Sequence, residues 1–186
     1  MTENSTFEKI NFSANELLDT EFEECTFINC TFDEHSISNI TFRECAFEEC
    51  NFGKALLNNT VFNDIQFINC KMLGLDFSVC NTLLLTMNFS GCNLNFTSFY
   101  LLRLKGSVFK NCTLESVDFT ESDLTSAIFD HSNLKQAIFE NTILDKADFR
   151  AAQNFSINPQ KNKLKKTKFS QEGMRGLLTN YDIIIE

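Results

Sequence analysis

The sequence predicts an all-β fold, a narrow coil that bends once every five residues and turns its large side chains onto a central axis. Two observations carry this. A large apolar residue returns at every fifth position from Phe7 to Phe77, beginning Phe7, Phe12, Leu17, Phe22, Phe27 and Phe32, and again from Leu84 to Phe149, where Phe and Leu alternate. Two residues before each of these runs a second column of small or apolar residues, and the positions between are mostly Asn, Asp, Glu, Thr, Ser or Lys.

Five is a period that neither a helix nor a straight strand can use. An α-helix turns by about 100° per residue, so a five-residue step moves the apolar stripe by about 140° and smears it around the axis. In a straight strand an odd step alternates faces, so successive Phe residues would lie on opposite sides of a sheet. The chain must instead turn a corner in each repeat, with two residues inward and three outward.

Units such as Ala147-Asp148-Phe149-Arg150, Ser122-Asp123-Leu124-Thr125 and Cys92-Asn93-Leu94-Asn95 resemble those of the pentapeptide-repeat family. The resemblance implies a right-handed quadrilateral β-helix over about residues 5–152, four pentapeptides to a coil and about seven coils, closed by a short C-terminal helical cap. Residues 1–153 are then the β-helix and 154–186 a capping and dimerisation segment. Residues 20 apart become stacked neighbours at about 4.8 Å. Phe89, Phe109, Phe129 and Phe149 should share one column, and Leu94, Leu114 and Leu134 the next. Each buried Phe contributes on the order of 2 kcal/mol.

The eight cysteines fit the same frame. Cys25, Cys30, Cys45, Cys50, Cys70, Cys92 and Cys112 occupy the small inward position, and Cys80 does too if the first register continues past Phe77. Pairs such as Cys30/Cys50 and Cys92/Cys112 stack with parallel Cβ vectors, which suits van der Waals contact better than a bridge. There is no Cys-x-x-Cys and no Cys/His cluster with zinc spacing, so neither a metal nor another cofactor is expected. No apolar run approaches the ~20 residues that span a membrane, and Met1 to Phe12 lacks a signal-peptide core. Reduced thiols point to the cytoplasm.

The regularity breaks in three places. Between Phe77 and Leu84 the step is seven residues, so two extra residues around Ser78 to Leu83 must bulge outward. Nearby, Leu83, Leu85, Phe96, Tyr100 and Leu101 stand at outward positions, an apolar patch that either meets a partner or covers the bulge. His35 is a bulky ring in a column of small residues, read as a core histidine rather than a catalytic one, and His131 points outward with no evident partner. In the tail, Asn154 to Asn162 holds the only proline, a basic run follows from Lys161 to Lys168, and Ser170 can cap a helix over Gln171 to Leu178. Met174, Leu177, Leu178, Ile183, Ile184 and Ile185 exceed what one coil end can bury, so a second subunit is expected there.

Charge is uneven along the chain. Residues 1–100 carry 14 acidic against 4 basic side chains, and residues 150–186 carry 3 against 7. An acidic rod binds nucleic acid poorly, so no direct contact with it is expected. Glu24, Glu44 and Asp64 lie 20 apart and should form a ladder up one face, either a solvated surface or one presented to a basic DNA-binding groove.

The run from Asn93 to Leu104, and the tail from Ile157-Asn158-Pro159 to the terminal isoleucines, resemble the pentapeptide-repeat subgroup that protects type II topoisomerases, quinolone-resistance and microcin-immunity proteins among them. That resemblance implies a homodimer joined through its C-terminal segments that mimics DNA, binds DNA gyrase or topoisomerase IV, and relieves the enzyme of a poison. The alternative is a scaffold or adaptor that binds another protein through the patch near Phe96 and Tyr100. No nucleophile–base pair, phosphate loop or metal cluster suggests an enzyme.

Overall fold

Stacked turns of very short strands, with two short 3-10 helices, make up the regular structure of the described residues. The computed structural model describes residues 1–12, 19–179, 181, 183 and 184. On one side of the coil Thr2–Glu3, Glu21–Glu23, Thr41–Arg43 and Val61–Asn63 pair in parallel; on the next, Thr6–Glu8, Thr26–Ile28, Ala46–Glu48, Ile65–Ile68, Met87–Ser90, Val108–Lys110 and Ile128–Asp130 do the same. The other two sides are held by isolated parallel bridges such as Thr31↔Asn51 and Ser36↔Leu56. The register is 20 residues, with Phe7 beside Phe27 and Phe27 beside Phe47. The coil is thus the quadrilateral β-helix that the resemblance implies.

Each corner places one residue in the left-handed region, among them Asn4, Glu24, Glu44 and Asp64 at φ 48°, 51°, 49° and 53°. Asn and Gly tolerate that conformation better than most residues, and Asn is the commonest residue at these corners, followed by Glu and Lys. Inside, the rings form files. Phe7, Phe27, Phe47, Phe67, Phe89, Phe109, Phe129 and Phe149 stack with centroids 4.7–5.2 Å apart. Leu94, Leu114 and Leu134 are fully buried in the next column. Leu17 lies outside the described residues.

All eight cysteines are buried and free. They do more than fill space, since thiols of the main file donate to a carbonyl one turn below, Cys50 to Phe27 O at 3.3 Å, Cys70 to Phe47 O at 3.2 Å and Cys92 to Phe67 O at 3.4 Å, whereas Cys112 donates to Lys110 O at 3.3 Å in its own turn. Hydroxyls take over the same bond elsewhere, Thr60 to Ile37 O at 2.9 Å and Ser132 to Phe109 O at 3.0 Å. Burial pushes the Cys45 thiol up to about 11 and the Cys80 thiol up to about 12.

The register slip falls later than the sequence suggests. Val61 still pairs with Asn81, 20 residues on, whereas Ile65 pairs with Met87, 22 on, so the two extra residues lie between Asn81 and Met87 rather than around 78–83. A 3-10 turn, Phe77–Val79, holds the earlier register: the Asp76 carboxylate accepts from Ser78 N at 2.9 Å and Phe77 O accepts from Cys80 N at 3.0 Å. Cys80 is consequently inward. Leu84, expected inside, is 66% exposed at φ 58°, and Leu85, expected outside, is buried at 7%. Leu85 thus joins the core, and Thr86 mends the ladder by offering Oγ1 to the Asp64 amide at 2.7 Å.

The coil ladder continues into the tail, where Ile143 pairs with Lys163 and Asp148 with Lys168. Phe155 and Ile157 then plug the end. The cap is a five-residue 3-10 helix, Gly173–Leu177, shorter than the predicted helix over 171–178. Two glycines in five residues disfavour an α-helix. One is required by packing: Ile157 N donates to Gly176 O at 2.9 Å, and a Cβ on Gly176 would stand 2.4 Å from Phe155 O. Ser170 still caps the turn, its Oγ accepting from Gly173 N at 3.0 Å.

Candidate partner-binding surfaces

The acidic ladder stands where the register places it. Glu24, Glu44 and Asp64 are all exposed, and their corners stack through Glu24 N to Arg43 O at 3.0 Å and Glu44 N to Asn63 O at 2.8 Å. Like charges about 5 Å apart repel by about 1 kcal/mol even in water. The corner conformation does not require acids, since Asn4 and Gly106 occupy the same column without charge. Stacked carboxylates here therefore cost the fold and present a repeated negative charge to solvent.

Around the slip the structure exposes an apolar band wider than the sequence patch. Leu83, Phe96, Tyr100 and Leu101 are exposed, Phe96 by 61%, and Leu73, Val79 and Leu84 join them. The bridge Asp76↔Ser98 sets Gly74 beside Phe96 and Val79 beside Leu101, so the band runs across two successive turns. Leu84, Phe96 and Leu101 occupy left-handed corners at φ 58°, 61° and 61°. That conformation costs a residue with a large side chain roughly 1–2 kcal/mol. Three exposed apolar side chains are thus held in strained corners. For Phe96 and Leu101 the sequence holds a signal, an apolar residue two places after the inward Leu94 and Phe99; Leu84 lacks it, since Thr82 is exposed.

Met174, Leu178, Ile183 and Ile184 are exposed at the cap, Ile184 by 90%, while Leu177 is half-buried against the core. Ile185 lies outside the described residues. His35 is half-buried rather than enclosed, next in its column to the small Ala55. His131 does have a partner, its Nδ1 lying 2.7 Å from Asp130 Oδ1 on the surface. A cavity of about 780 Å³, open to solvent, lies between the last turn and the cap, lined by His131, Arg150, Phe155 and Arg175 among others. Among the described residues no cluster of His, Cys, Asp or Glu could hold a metal ion, and no helix is long and apolar enough to cross a membrane.

A parallel β-solenoid with a phenylalanine file and charged corners defines the class of protein. The family follows from two matching family models, one for a pentapeptide repeat region over residues 40–119 and one for pentapeptide repeats over residues 118–153. The chain belongs to the pentapeptide-repeat family. Among solved structures it is similar to a trypsin-treated form of QnrB1, a plasmid-mediated fluoroquinolone resistance protein, at 18% identity and TM-score 0.51 over 100% of this chain and 99% of that one. It is also similar to HetL, a pentapeptide repeat protein involved in heterocyst differentiation regulation from Nostoc sp. strain PCC 7120, at 12% identity and TM-score 0.40 over 92% and 88% of the two chains. A pentapeptide repeat protein of the Arabidopsis thaliana thylakoid lumen matches at 15% identity and TM-score 0.29 over 82% and 87%. No curated protein sequence matches the chain.

Proposed function

We propose that this chain is a non-enzymatic, DNA-mimicking protein that binds DNA gyrase or topoisomerase IV and relieves the enzyme of a poison. The observation that carries the reading is the column Glu24, Glu44 and Asp64, exposed negative charges stacked turn upon turn on a stiff rod. Duplex DNA presents one phosphate per 3.4 Å along each strand, and the corner presents one acid per ~4.8 Å. A groove built to hold DNA attracts both, while the same charges repel nucleic acid itself. The fold shared with a fluoroquinolone resistance protein makes a quinolone the first poison to test. In this reading the chain works in the cytoplasm as a homodimer whose copies meet through Met174, Leu178, Ile183 and Ile184.

Gyrase supercoiling in the presence of a quinolone, titrated with the purified protein, tests the proposal. Rescue is the expected result, and neither rescue nor inhibition at any concentration would overturn it. Reversing Glu24, Glu44 and Asp64 to Lys should weaken binding, and an unchanged affinity would remove the ladder from the account. The strained corners Leu84, Phe96 and Leu101 favour a second reading, an adaptor that grips another protein through the apolar band. Phe96→Ser with Tyr100→Ser separates the two, abolishing adaptor binding while leaving a charge-driven complex largely intact.

A further inference from the structure

The corner that carries Glu24, Glu44 and Asp64 does not stay acidic. Beyond the bulge it continues as Gly106, Ser126, Lys146 and Lys166, joined turn to turn by Gly106 N to Thr125 O at 2.9 Å, Ser126 N to Asp145 O at 2.8 Å and Lys146 N to Lys165 O at 2.9 Å. Charge therefore reverses along one column, negative at the N-terminal end and positive at the C-terminal end, with the apolar bulge Leu83–Leu84 near the middle. Among the described residues no ion pair within the chain engages Glu24, Glu44, Lys146 or Lys166. The other corner columns lack this pattern; the one through Asn39 and Asn59, for example, passes through Leu101 before Glu121 and ends near Lys161.

We infer that this corner is a self-complementary surface on which two copies of the chain pair side by side and antiparallel. A two-fold axis set between the Leu84 and Gly106 turns places Glu44 of one copy opposite Lys146 of the other, and Glu24 opposite Lys166. The adjoining outward column, built by Glu23↔Arg43 and Arg43↔Asn63 at one end, obeys the same axis: Glu23 falls opposite Lys165, and Arg43 opposite Asp145. Arg43, which also lies 3.8 Å from Glu21 of its own chain, and Asp145, whose Oδ1 accepts from Lys165 N, reverse the overall polarity and still meet opposite charges, so a simple gradient from acidic to basic does not account for the match.

The centre is matched as well. The Leu83–Leu84 bulge of each copy comes against the other's Gly106, where nothing lies within 4 Å of a built Cβ, beside an open groove of about 380 Å³ that Lys105 and Ser107 help to line. Such an isologous contact closes on itself and does not propagate into a filament. It also covers the acidic column, so self-pairing would compete with any basic partner of that column, although the inference does not depend on that partner being a topoisomerase.

Sedimentation velocity of the full chain across ionic strength and concentration tests the pairing. The expected result is a salt-sensitive association step, separate from the cap contact, that appears at low salt and weakens as screening increases. Glu24→Lys with Glu44→Lys should weaken it roughly tenfold or more, and Lys146→Glu with Lys166→Glu should do the same. An equimolar mixture of these two variants should recover it, because in the mixed pair each introduced Lys meets an introduced Glu and the native pairs are re-formed. A wild-type chain that stays monomeric at every concentration, or a mixture that fails to recover association, would overturn the inference. So would finding that the sole association is insensitive to salt, survives both reversals and is lost in Met174→Ser with Leu178→Ser and Ile184→Ser, since the cap would then be the one contact between copies.

Discussion

The two halves of the coil solve one packing problem differently. In the N-terminal half three of the four inward residues of a turn are aromatic, as in Phe42, Phe47, Phe52 and Leu57, and the small column is largely cysteine. In the C-terminal half two are aromatic, as in Leu104, Phe109, Leu114 and Phe119, and the small column is mostly Ser, Thr, Ala and Val. Phe47 meets five other rings, the stacked Phe27 and Phe67 and the edge-on Phe32, Phe42 and Phe52. Phe109 meets four, stacked on Phe89 and Phe129 and edge-on to Phe99 and Phe119. What the fold fixes is a filled cross-section and a donor beneath each turn, and more than one set of side chains supplies both.

The comparison is tested most severely in the rings. Phe47→Ala and Phe109→Ala should each cost about 3–5 kcal/mol, since both rings are fully buried. Phe47→Leu should cost more than Phe109→Leu, because it breaks an edge-to-face cluster that the alternating half does without. Urea unfolding of the four variants measures the order. Equal costs for the two Leu variants would mean that the halves pack alike despite their composition.

The period of five was legible because it is a steric requirement: an inward residue one place out of step meets solvent, so every turn must repeat it. Where the two register frames join, that requirement relaxes. Slips placed at 78–83 and at 82–86 satisfy the same spacing, and the Phe77–Val79 turn with its Asp76 bond decides between them. Hence Leu84 and Leu85 exchange roles. At the end of the coil, where the repeat breaks, Phe155 fills the axis six places after Phe149 and Asn154 takes a left-handed corner. The acidic ladder needed only the 20-residue register. The strain at Phe96 and Leu101 stayed hidden because counting apolar residues does not record backbone conformation.

Exchange within the small column gives the next largest effect. Ser132 Oγ accepts from Cys112 N at 3.0 Å and donates to Phe109 O at 3.0 Å, whereas Cys70 Sγ makes longer, weaker bonds to Phe47 O and Ile68 O at 3.2 and 3.4 Å. Ser132→Ala should therefore cost about 1–3 kcal/mol, and Cys70→Ala less. Cys70→Ser should be tolerated, because the hydroxyl inherits the donor role it already holds at Ser132. A Cys70→Ser variant much less stable than Cys70→Ala would show that the N-terminal half uses its thiols only as apolar filler.

The thiols also make the N-terminal half sensitive to alkali. A thiol whose value rises from 9.0 to about 11 at Cys45, or to about 12 at Cys80, keeps its proton in the fold and loses it on unfolding. The folded state then binds more protons, so stability is complete below about pH 9 and declines above it, by at most about 1.4 kcal/mol per pH unit for each thiol. Cys45→Ala should flatten the decline between pH 9 and 11 as followed by thermal unfolding. An unchanged slope would mean that the alkaline limit lies elsewhere.

The smallest effect separates the junction from both halves. Leu84 is exposed and left-handed, so Leu84→Asn relieves strain without removing core contacts and should stabilise the chain by up to about 1 kcal/mol. Glu44→Asn at an ordinary corner removes the repulsions with Glu24 and Asp64, which salt screens at an exposed site, and should gain less. If the bulge is a contact surface, Leu84→Asn will also weaken whatever association the chain makes there while its stability rises. Stability and binding moving in opposite directions is the signature of a strained site kept for contact. A variant that is more stable and associates unchanged would reduce the bulge to a mended slip between two registers.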